Sequence, residues 1–280
     1  MPNYFPQLTN AVIAPAGYAP SMSFKTTIQD TPNGHRTAWA WFGAGLAGYP
    51  TGPLYQWKLP YRGLYESERA TLESFFAAMF GRLGQFTFLD PAGNLCAYSE
   101  DFTNAAWTRS SVAVTTNGGL ADPFGGTAAS LLTSSSSSGT VTTPVLPSGG
   151  ASGIVLCASV YAYAASPASI QLALVDSAST VFASISKSLL PLNTWIRVAI
   201  QATVSSANPV SFVMTMGSGV ALRLFGAQVS PSLGPGGYAK SPGNYGYHPN
   251  CRFDMDTISV TKTDFNQNSI DVQIREFFIP

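Results

Sequence analysis

The sequence changes character abruptly within residues 86–108. Residues 86–94 read FTFLDPAGN, and residues 95–108 continue as LCAYSEDFTNAAWT. From there to about residue 244 the chain is almost uncharged and rich in Ser, Ala, Gly and Val, until charged sequence returns at residues 250–256, NCRFDMD. Insertions are tolerated where two strand ends lie close together on a surface. We therefore predict a host domain formed by residues 1–95 and 246–280, with an inserted domain formed by residues 96–245.

The composition limits the classes of partner. The chain has 280 residues, a net charge of zero and 10% charged residues, against about 25% in an average domain. Nucleic acid is not an expected partner, because neutralising phosphates requires clustered Lys and Arg. The start of the chain lacks the features of a signal peptide, and no apolar run approaches the ~18 residues that span a membrane. A surface this poor in charge suits a protein that works in contact with other subunits.

The host sequence predicts β-strands and one helix. Apolar side chains recur at helical spacing over residues 67–83, and Gly84 follows as a stop signal. The apolar stripe of this helix consists of Leu72, Phe75, Phe76, Met79 and Leu83. Turn residues at 31–34 and a loop at 263–268 separate alternating segments and predict two hairpins. Strands are expected at residues 22–28, 37–41, 54–59, 86–89, 257–262 and 269–275.

The insert sequence has no helical pattern and carries evenly spaced strand patterns. Residues 195–201 alternate apolar and polar side chains with period two. About six to eight such strands joined by short turns predict a β-sandwich or jelly roll. The serine run at residues 134–138 predicts a flexible loop. Strands are expected at residues 153–163, 170–175, 181–187, 195–204, 210–216 and 220–229.

The fold class expected for the whole chain is therefore mainly β. We predict a β-sandwich host domain with one α-helix, and an inserted jelly-roll β-sandwich.

One glycine-rich loop has the spacing of a dinucleotide-binding motif. Residues 43–48 read GAGLAG, and such a loop must open a helix whose N-terminus holds the pyrophosphate. Residues 49–53, YPTGP, cannot form that helix because prolines interrupt it. We expect no cofactor there and interpret the loop as part of a subunit contact.

Cysteine and histidine chemistry has few candidates. The chain has two histidines, His35 and His248, and three cysteines, which cannot form a fully paired framework. Cys96 and Cys251 flank the insert, so a disulfide between them is one alternative, and a zinc site that also uses the histidines is another. Unpaired thiols are favoured because the chain is expected to fold in a reducing cytoplasm.

The acidic residues of the insert are too few for an expected hydrolase site. A glycosidase needs two carboxylates about 5–10 Å apart, whereas Glu100 and Asp101 are neighbours that point apart in an extended chain. Together with Asp122 they are candidate calcium ligands, because calcium takes oxygen ligands from loop acids. The alternative interpretation is that these acids cap turns. Apart from this candidate calcium ion, no cofactor is expected, and no enzymatic activity is expected.

Three aromatic side chains of the insert are candidate glycan contacts. Trp107, Tyr161 and Tyr163 offer ring faces on which sugars stack. The alternative is that they pack in the core, because they fall on strand patterns and large aromatic residues dominate protein cores.

The host resembles the distal tail proteins of long-tailed phages and of phage-derived particles. Residues 66–76, ESERATLESFF, and 81–91, GRLGQFTFLDP, are similar to the helix and the short G-x-F-x-F-x-D strand of that family. Residues 271–277, DVQIREF, look like its closing strand.

The insert resembles a jelly-roll module found in phage tail and tail-fibre proteins, which is itself similar to carbohydrate-binding modules. Residues 99–107 match the S-E-D-F-x-N-x-x-W opening of that module. The segments WIRV at 195–198 and LRLFGAQV at 222–229 are similar to its middle and closing strands, and Tyr238 falls where it ends.

These resemblances imply a structural protein of the virion tail, synthesised in the cytoplasm of the host cell. The host domain would form a homo-oligomeric ring, expected to be a hexamer, between the tail tube protein and the proteins of the tip hub or baseplate. A closed ring requires two different complementary faces on each subunit. The candidates for these faces are the glycine-rich loop and the aromatic residues Tyr49, Tyr55 and Trp57.

The insert would project outward, either as a decoration or as a domain that binds a surface polysaccharide of the bacterium. Two alternatives remain at this point: a receptor-binding or carbohydrate-binding adhesin that acts without a ring, and an enzyme that acts on the cell envelope. The second requires a convergent pair of acids that the sequence does not display.

Overall fold

The computed structural model describes residues 4–8, 12–13, 25–31, 34–39, 54–116, 119–146, 153–243 and 246–277. The described chain is mainly β with one helix, which confirms the fold class predicted from the sequence. The strands are β1 (Val12–Ile13), β2 (Lys25–Thr31), β3 (Gly34–Trp39), β4 (Leu54–Leu64), β5 (Phe86–Leu89), β6 (Thr108–Ser110), β7 (Val112–Thr115), β8 (Ser130–Ser134), β9 (Gly139–Leu146), β10 (Ile154–Tyr163), β11 (Ser169–Asp176), β12 (Val181–Ser188), β13 (Ile196–Val204), β14 (Val210–Met216), β15 (Ala221–Ser230), β16 (Tyr247–Phe253), β17 (Val260–Asp264) and β18 (Gln267–Glu276).

The chain divides into two compact units. One is the insert, Gly93–Tyr247, where the sequence predicts 96–245. The other is the host, formed by Pro2–Ala92 and His248–Pro280.

The described host strands form one antiparallel sheet of eight strands. Its order is β2-β3-β4-β18-β16-β5, with β1 added to β4 and β17 added to β18. Alternate side chains of the central strands are buried, because one face of the sheet packs on the core. Trp57, Leu59 and Tyr61 of β4 supply one row of this core, and Ile270, Val272 and Ile274 of β18 supply the next.

The helix α1 (Glu66–Ala78) ends earlier than predicted. Glu66 and Glu68 lie in its first turn, where acidic side chains interact favourably with the helix dipole. The predicted end at residue 83 is wrong, because Phe80 and Gly81 adopt left-handed backbone angles with φ of 50° and 59°. Leu83, predicted to belong to the apolar stripe, is consequently 76% exposed.

Two other sequence predictions differ in detail from the structure. The loop expected at 263–268 is a two-residue turn, since Asp264 pairs with Gln267 across the β17–β18 hairpin. Part of the serine run expected as a flexible loop at 134–138 belongs to β8, whose last residue, Ser134, is 4% exposed. Ser134 Oγ donates to the carbonyl of Gly217 and accepts from Val220 N at 2.8 Å.

The insert is a sandwich of two five-stranded antiparallel sheets. Sheet I has the order β13-β10-β15-β8-β7, and sheet II has the order β12-β11-β14-β9-β6. Apolar side chains of both sheets, such as Leu172, Phe212 and Leu224, are completely buried between them. Sequence patterns did not predict β6 to β9, since these strands are short or rich in Ser and Thr.

The two ends of the insert lie side by side. A Cβ atom built on Gly246 would lie 3.1 Å from the carbonyl carbon of Asn94 and 2.9 Å from a methyl group of Leu95. Asn94 holds the start of the insert against its closing strands, because its amide nitrogen donates to the carbonyls of Ala227 at 2.9 Å and Ala239 at 3.0 Å. Among the described residues, no helix has the length and apolar character needed to cross a bilayer.

Candidate functional site

The outer face of sheet I begins with β10, whose two tyrosines point away from the sandwich core. Val160 and Ala162 point inward and are completely buried. Tyr161 and Tyr163 alternate with them and are therefore partly exposed on the opposite side. Two of the three predicted glycan contacts thus lie on one face of one strand.

Arg197 of β13 extends this face beside Tyr161. The two residues are paired across the strands, and the guanidinium carbon lies 5.2 Å from the centre of the Tyr161 ring. Its nitrogens donate to Ser159 Oγ at 3.1 Å and to Gln228 Oε1 at 3.1 Å. The guanidinium group is therefore held in place with its charge next to the aromatic surface.

Four aromatic rings form a surface cluster that we call the aromatic face. Phe225 of β15 pairs with Tyr161 and is 3% exposed, so it forms the floor. Phe124 is 65% exposed and stacks on Tyr238 with ring centres 6.0 Å apart and planes 19° apart. Phe124 also meets the Tyr161 ring edge to face at 5.7 Å. The aromatic face consists of Phe124, Tyr161, Phe225 and Tyr238.

An acidic side chain fixes the loop that carries Phe124. Asp122 Oδ1 accepts hydrogen bonds from the backbone nitrogens of Phe124 at 2.9 Å and Gly126 at 3.0 Å. Trp195 Nε1 donates to the carbonyl of Ala121 at 3.0 Å and ties the loop to sheet I. The exposed position of the Phe124 ring is consequently imposed by an organised loop.

Tyr238 closes the aromatic face from the other side. Its ring is accommodated by Gly226, which has φ of 64° and whose added Cβ would lie 2.9 Å from the Tyr238 ring. Burial, together with the nearby Glu100 carboxylate, raises the pKa of Tyr238 above its usual value. The protonated hydroxyl donates to Glu100 Oε1 at 3.1 Å.

A second aromatic group continues along the same sheet face. The Tyr163 and Trp195 rings lie 5.6 Å apart, and the guanidinium carbon of Arg223 lies 5.6 Å from the centre of the Tyr163 ring. The strands of sheet I contain two arginines and no Asp or Glu. The face therefore combines ring surfaces with positive charge.

Two tryptophans predicted as contact residues are buried instead. Trp107, a predicted glycan contact, is 1% exposed, packs 5.0 Å from the Phe102 ring and donates to the carbonyl of Tyr98 at 3.1 Å. Trp57, predicted to contact a neighbouring subunit of the hexameric ring, is 2% exposed and donates to Asp90 Oδ2 at 3.2 Å. Both predictions are wrong, because the protein itself covers these side chains.

The other residues predicted to contact a neighbouring subunit are Tyr55, Tyr49 and the glycine-rich loop. Tyr55 is partly buried, with its ring 5.3 Å from that of His248 and 5.8 Å from that of Trp57. Tyr49 and the glycine-rich loop at 43–53 lie outside the described residues.

The three calcium candidates each accept hydrogen bonds from the protein. Asp122 holds its own loop, Glu100 pairs with Lys240, and Asp101 Oδ1 accepts from Thr103 N at 3.0 Å. These contacts match the alternative interpretation that the acids cap turns. Within the described ranges, no three His, Cys, Asp or Glu side chains form a group suited to a metal ion. Calcium binding by these residues stays a prediction.

All three cysteines are free and buried. Burial raises the pKa of the Cys96 and Cys251 thiols, which keeps them protonated and unreactive. Cys251 packs in the host core, whereas the backbone nitrogen of Cys96 binds Asn94 Oδ1 at 2.9 Å in the insert. His248 is also buried in the host, with Nδ1 3.2 Å from Glu276 Oε1.

Sequence reasoning missed Phe124, Arg197 and Phe225. A signal for Arg197 was available, since the period-two pattern at 195–201 places it on the outer face of its strand. Phe124 lies in a loop without any periodicity, and only the tertiary structure brings it against Tyr161.

Solved structures with limited similarity to this chain include tail and carbohydrate-binding proteins. The enzymatically active domain of tailspike protein 4 from bacteriophage CBA120 is 14% identical, with a TM-score of 0.39, over 51% of this chain and 22% of that one. The C-terminal family 22 carbohydrate binding module of Clostridium thermocellum Xyn10B is 16% identical, with a TM-score of 0.40, over 52% of this chain and 97% of that one. A carbohydrate-binding module named TmCBM61, solved in complex with beta-1,4-galactotriose, is 12% identical, with a TM-score of 0.35, over 46% of this chain and 90% of that one.

No protein-family model matches the chain, and no curated protein sequence matches it. The TM-scores of these structural neighbours are all below 0.5, so their similarity does not transfer an activity or a ligand to this protein.

Proposed function

We propose that this protein is a structural component of a phage tail whose insert attaches the particle to a surface polysaccharide of the bacterial host. The observation that carries the binding role is the aromatic face, where Phe124 is 65% exposed beside Tyr161 on a rigid sheet. Exposed rings held by a fixed backbone offer stacking surface at low entropic cost.

The positive charge of sheet I narrows the class of polysaccharide expected to bind. Arg197 and Arg223 lie among the aromatic rings, and the five strands carry no acidic side chain. A neutral or acidic polysaccharide is compatible with this surface, whereas a cationic one is disfavoured. The proposed role is binding without bond cleavage, since the insert has four acidic residues and two of them, Asp122 and Asp176, hold their own loops.

The experiment for this role measures polysaccharide binding by the intact chain. We expect binding to capsular or cell-wall polysaccharide of a susceptible bacterium, and a loss of about tenfold or more in affinity for Phe124→Ala and Tyr161→Ala, corresponding to about 1.4 kcal/mol. Val181→Ala is the control, since Val181 is 55% exposed in the insert but lies in β12 of sheet II. Binding that is unchanged in the two insert variants would contradict the assignment of this face.

The tail-scaffold part of the proposal rests on the resemblance of the host and on its exposed apolar side chains. Phe80, Leu83 and Phe265 are 77%, 76% and 90% exposed. Large apolar side chains at such exposure favour burial against another subunit. We propose a hexameric ring that contacts the tail tube protein and the tip hub or baseplate, located in the virion tail.

The alternative is an adhesin that acts without a ring, and oligomeric mass distinguishes the two. Light scattering should give six copies per particle for the intact protein, alone or after mixing with the tail tube protein. A monomer under both conditions, combined with retained polysaccharide binding, would favour the independent adhesin.

A further inference from the structure

We propose that the polysaccharide bound by the insert is acidic, and that a carboxylate of its sugar residues binds to Arg223. This inference rests on the proposed function, because it names the chemical class of the ligand for the same face of sheet I. The site is a row of outward-facing side chains that crosses the sheet beside the aromatic face. It consists of Trp195, Tyr163, Arg223, Leu131 and Thr115, and we call it the Arg223 row.

The strand register places these side chains in one line. Tyr163 pairs with Arg223, Arg223 with Leu131, and Leu131 with Thr115. Residues paired across adjacent strands lie on the same face of a sheet. Trp195 directly precedes β13 and extends the line, with its ring 5.6 Å from that of Tyr163. All five side chains are partly or fully exposed, so an extended ligand can lie across the strands.

The aromatic part of the Arg223 row is held in place by the protein. The Tyr163 hydroxyl donates to Asn193 Oδ1 at 2.9 Å, and Trp195 Nε1 donates to the carbonyl of Ala121 at 3.0 Å. The guanidinium carbon of Arg223 lies 5.6 Å from the centre of the Tyr163 ring. The rings and the cation are therefore arranged before a ligand arrives, which lowers the entropic cost of binding.

The two arginines of this sheet face have different roles. Arg197 holds the protein itself together, because its nitrogens donate to Gln228 Oε1 at 3.1 Å and to the carbonyl of Gly236 at 2.5 Å. Arg223 stacks on Tyr163, and a stacked guanidinium can still donate in its own plane through its fork of five N–H groups. That fork matches the two oxygens of a carboxylate.

The charges of sheet I favour an anionic ligand. Its five strands carry two arginines and no Asp or Glu. Asp122, in the loop that Trp195 contacts, is 7% exposed and accepts hydrogen bonds from three backbone nitrogens, so its charge is already compensated. The strands of this sheet therefore present positive charge to a ligand, and an anionic polysaccharide is attracted to it.

A uronic acid residue would make both kinds of contact at once. Its carboxylate is bonded directly to the sugar ring. A ring that packs against the aromatic side chain of Tyr163 therefore brings its carboxylate close to Arg223, the neighbour of Tyr163 in the row. Neutral sugars would make only the first of these contacts.

The test compares one polysaccharide with and without its carboxylates. The probe is the surface polysaccharide of a susceptible bacterium, in its native form and after chemical reduction of its uronic acids to neutral sugars. We expect the intact protein to bind the native form about tenfold or more tightly than the reduced form in calorimetry at low salt. The difference should shrink as the salt concentration rises, because salt screens the interaction between exposed charges.

Two variants and a control assign the preference to Arg223. Arg223→Gln should weaken binding of the native form about tenfold or more and leave binding of the reduced form nearly unchanged. Arg223→Lys should recover only part of the loss, because an ammonium group keeps the charge without the planar fork. Lys187→Gln is the matched control, since it removes one positive charge from an exposed position of β12 in sheet II. It should not change the affinity for either form.

Three results would overturn this inference while leaving the proposed function in place. The first is equal affinity of the intact protein for the native and reduced forms. The second is an equal loss of both forms in Arg223→Gln, which would mean that Arg223 only supports the fold. The third is a loss in Lys187→Gln as large as that in Arg223→Gln, which would assign the preference to the total charge of the insert. Absence of binding to either form would instead overturn the proposed function.

Discussion

Asp176 joins two loops of the insert through hydrogen bonds to both carboxylate oxygens. Oδ1 accepts from Thr180 N at 2.8 Å, and Oδ2 accepts from Ser206 Oγ at 2.8 Å and Asn208 Nδ2 at 3.3 Å. Burial alone would raise the pKa of Asp176, but these hydrogen bonds outweigh it and lower the pKa to about 2. A carboxylate held in this way stabilises the fold in its charged form.

The pH dependence of stability follows from the direction of this shift. Because the pKa is lower in the folded state than its ordinary value of 3.8, the contribution of Asp176 is present above pH 3.8 and lost as the pH falls towards about 2. We expect Asp176→Asn to lower the melting temperature of the insert at pH 7 and to lower it less at pH 2, as measured by scanning calorimetry.

Asp264→Asn, which removes the same charge from an exposed hairpin of the host, is the control for the loss of a charge. Equal destabilisation by Asp176→Asn at both pH values would show that the carboxylate contributes by shape and not by charge.

At the scale of elements, the β17–β18 hairpin caps the helix α1. Asn266 occupies the turn with φ of 56°, and its Oδ1 accepts a hydrogen bond from Glu66 N at 3.2 Å. The first N–H groups of a helix have no partner within the helix, so Asn266 adds an acceptor from another element to the local capping bond from Tyr65 N to Glu68 Oε2 at 3.2 Å. Asn268 Nδ2 adds a hydrogen bond to Glu66 Oε2 at 3.1 Å.

Two substitutions at Asn266 separate its two roles. We expect Asn266→Ala to lower the free energy of unfolding by about 1–2 kcal/mol, because it removes the cap and puts alanine, which tolerates left-handed angles less well than asparagine, at φ of 56°. Asn266→Gly removes only the cap and should cost less, on the order of 1 kcal/mol. Urea unfolding followed by circular dichroism measures both values, and equal losses would mean that backbone strain does not contribute.

At the scale of the whole molecule, the adjacent ends of the insert predict that the host folds without it. A Cβ on Gly246 would lie 3.2 Å from the backbone nitrogen of Asn94, so the chain leaves the insert next to where it enters. A short connection closes such a gap at little entropic cost. We expect a protein in which a Gly/Ser linker replaces residues 97–244 to be soluble, folded and able to form the same oligomer as the intact chain.

Circular dichroism, thermal unfolding and light scattering of the two proteins test this expectation. The complementary protein, residues 93–247 alone, should retain a cooperative unfolding transition and the binding of the intact chain. If the linker protein is unfolded, or if its oligomer differs from that of the intact protein, the nested architecture or the host's role in assembly is wrong.

The sequence by itself determined the elements whose pattern is local. Evenly spaced strand patterns, with strict alternation at residues 195–201, predicted β10 to β15 within one residue at each end. An apolar stripe predicted the helix, although not its end, which depends on the left-handed angles of Phe80 and Gly81. The change of composition near residue 95 predicted that one domain is inserted into another.

Only the tertiary structure decided which aromatic side chains reach the surface. Trp107 and Tyr161 both fall in strand-like sequence, yet Trp107 is 1% exposed while Tyr161 lies open beside Phe124. Alternation of apolar and polar side chains indicates that one face of a strand is covered, but it does not indicate which part of the protein covers it. The packing of the two sheets and the position of the Phe124 loop arise from contacts between residues far apart in the chain, and no local pattern encodes them.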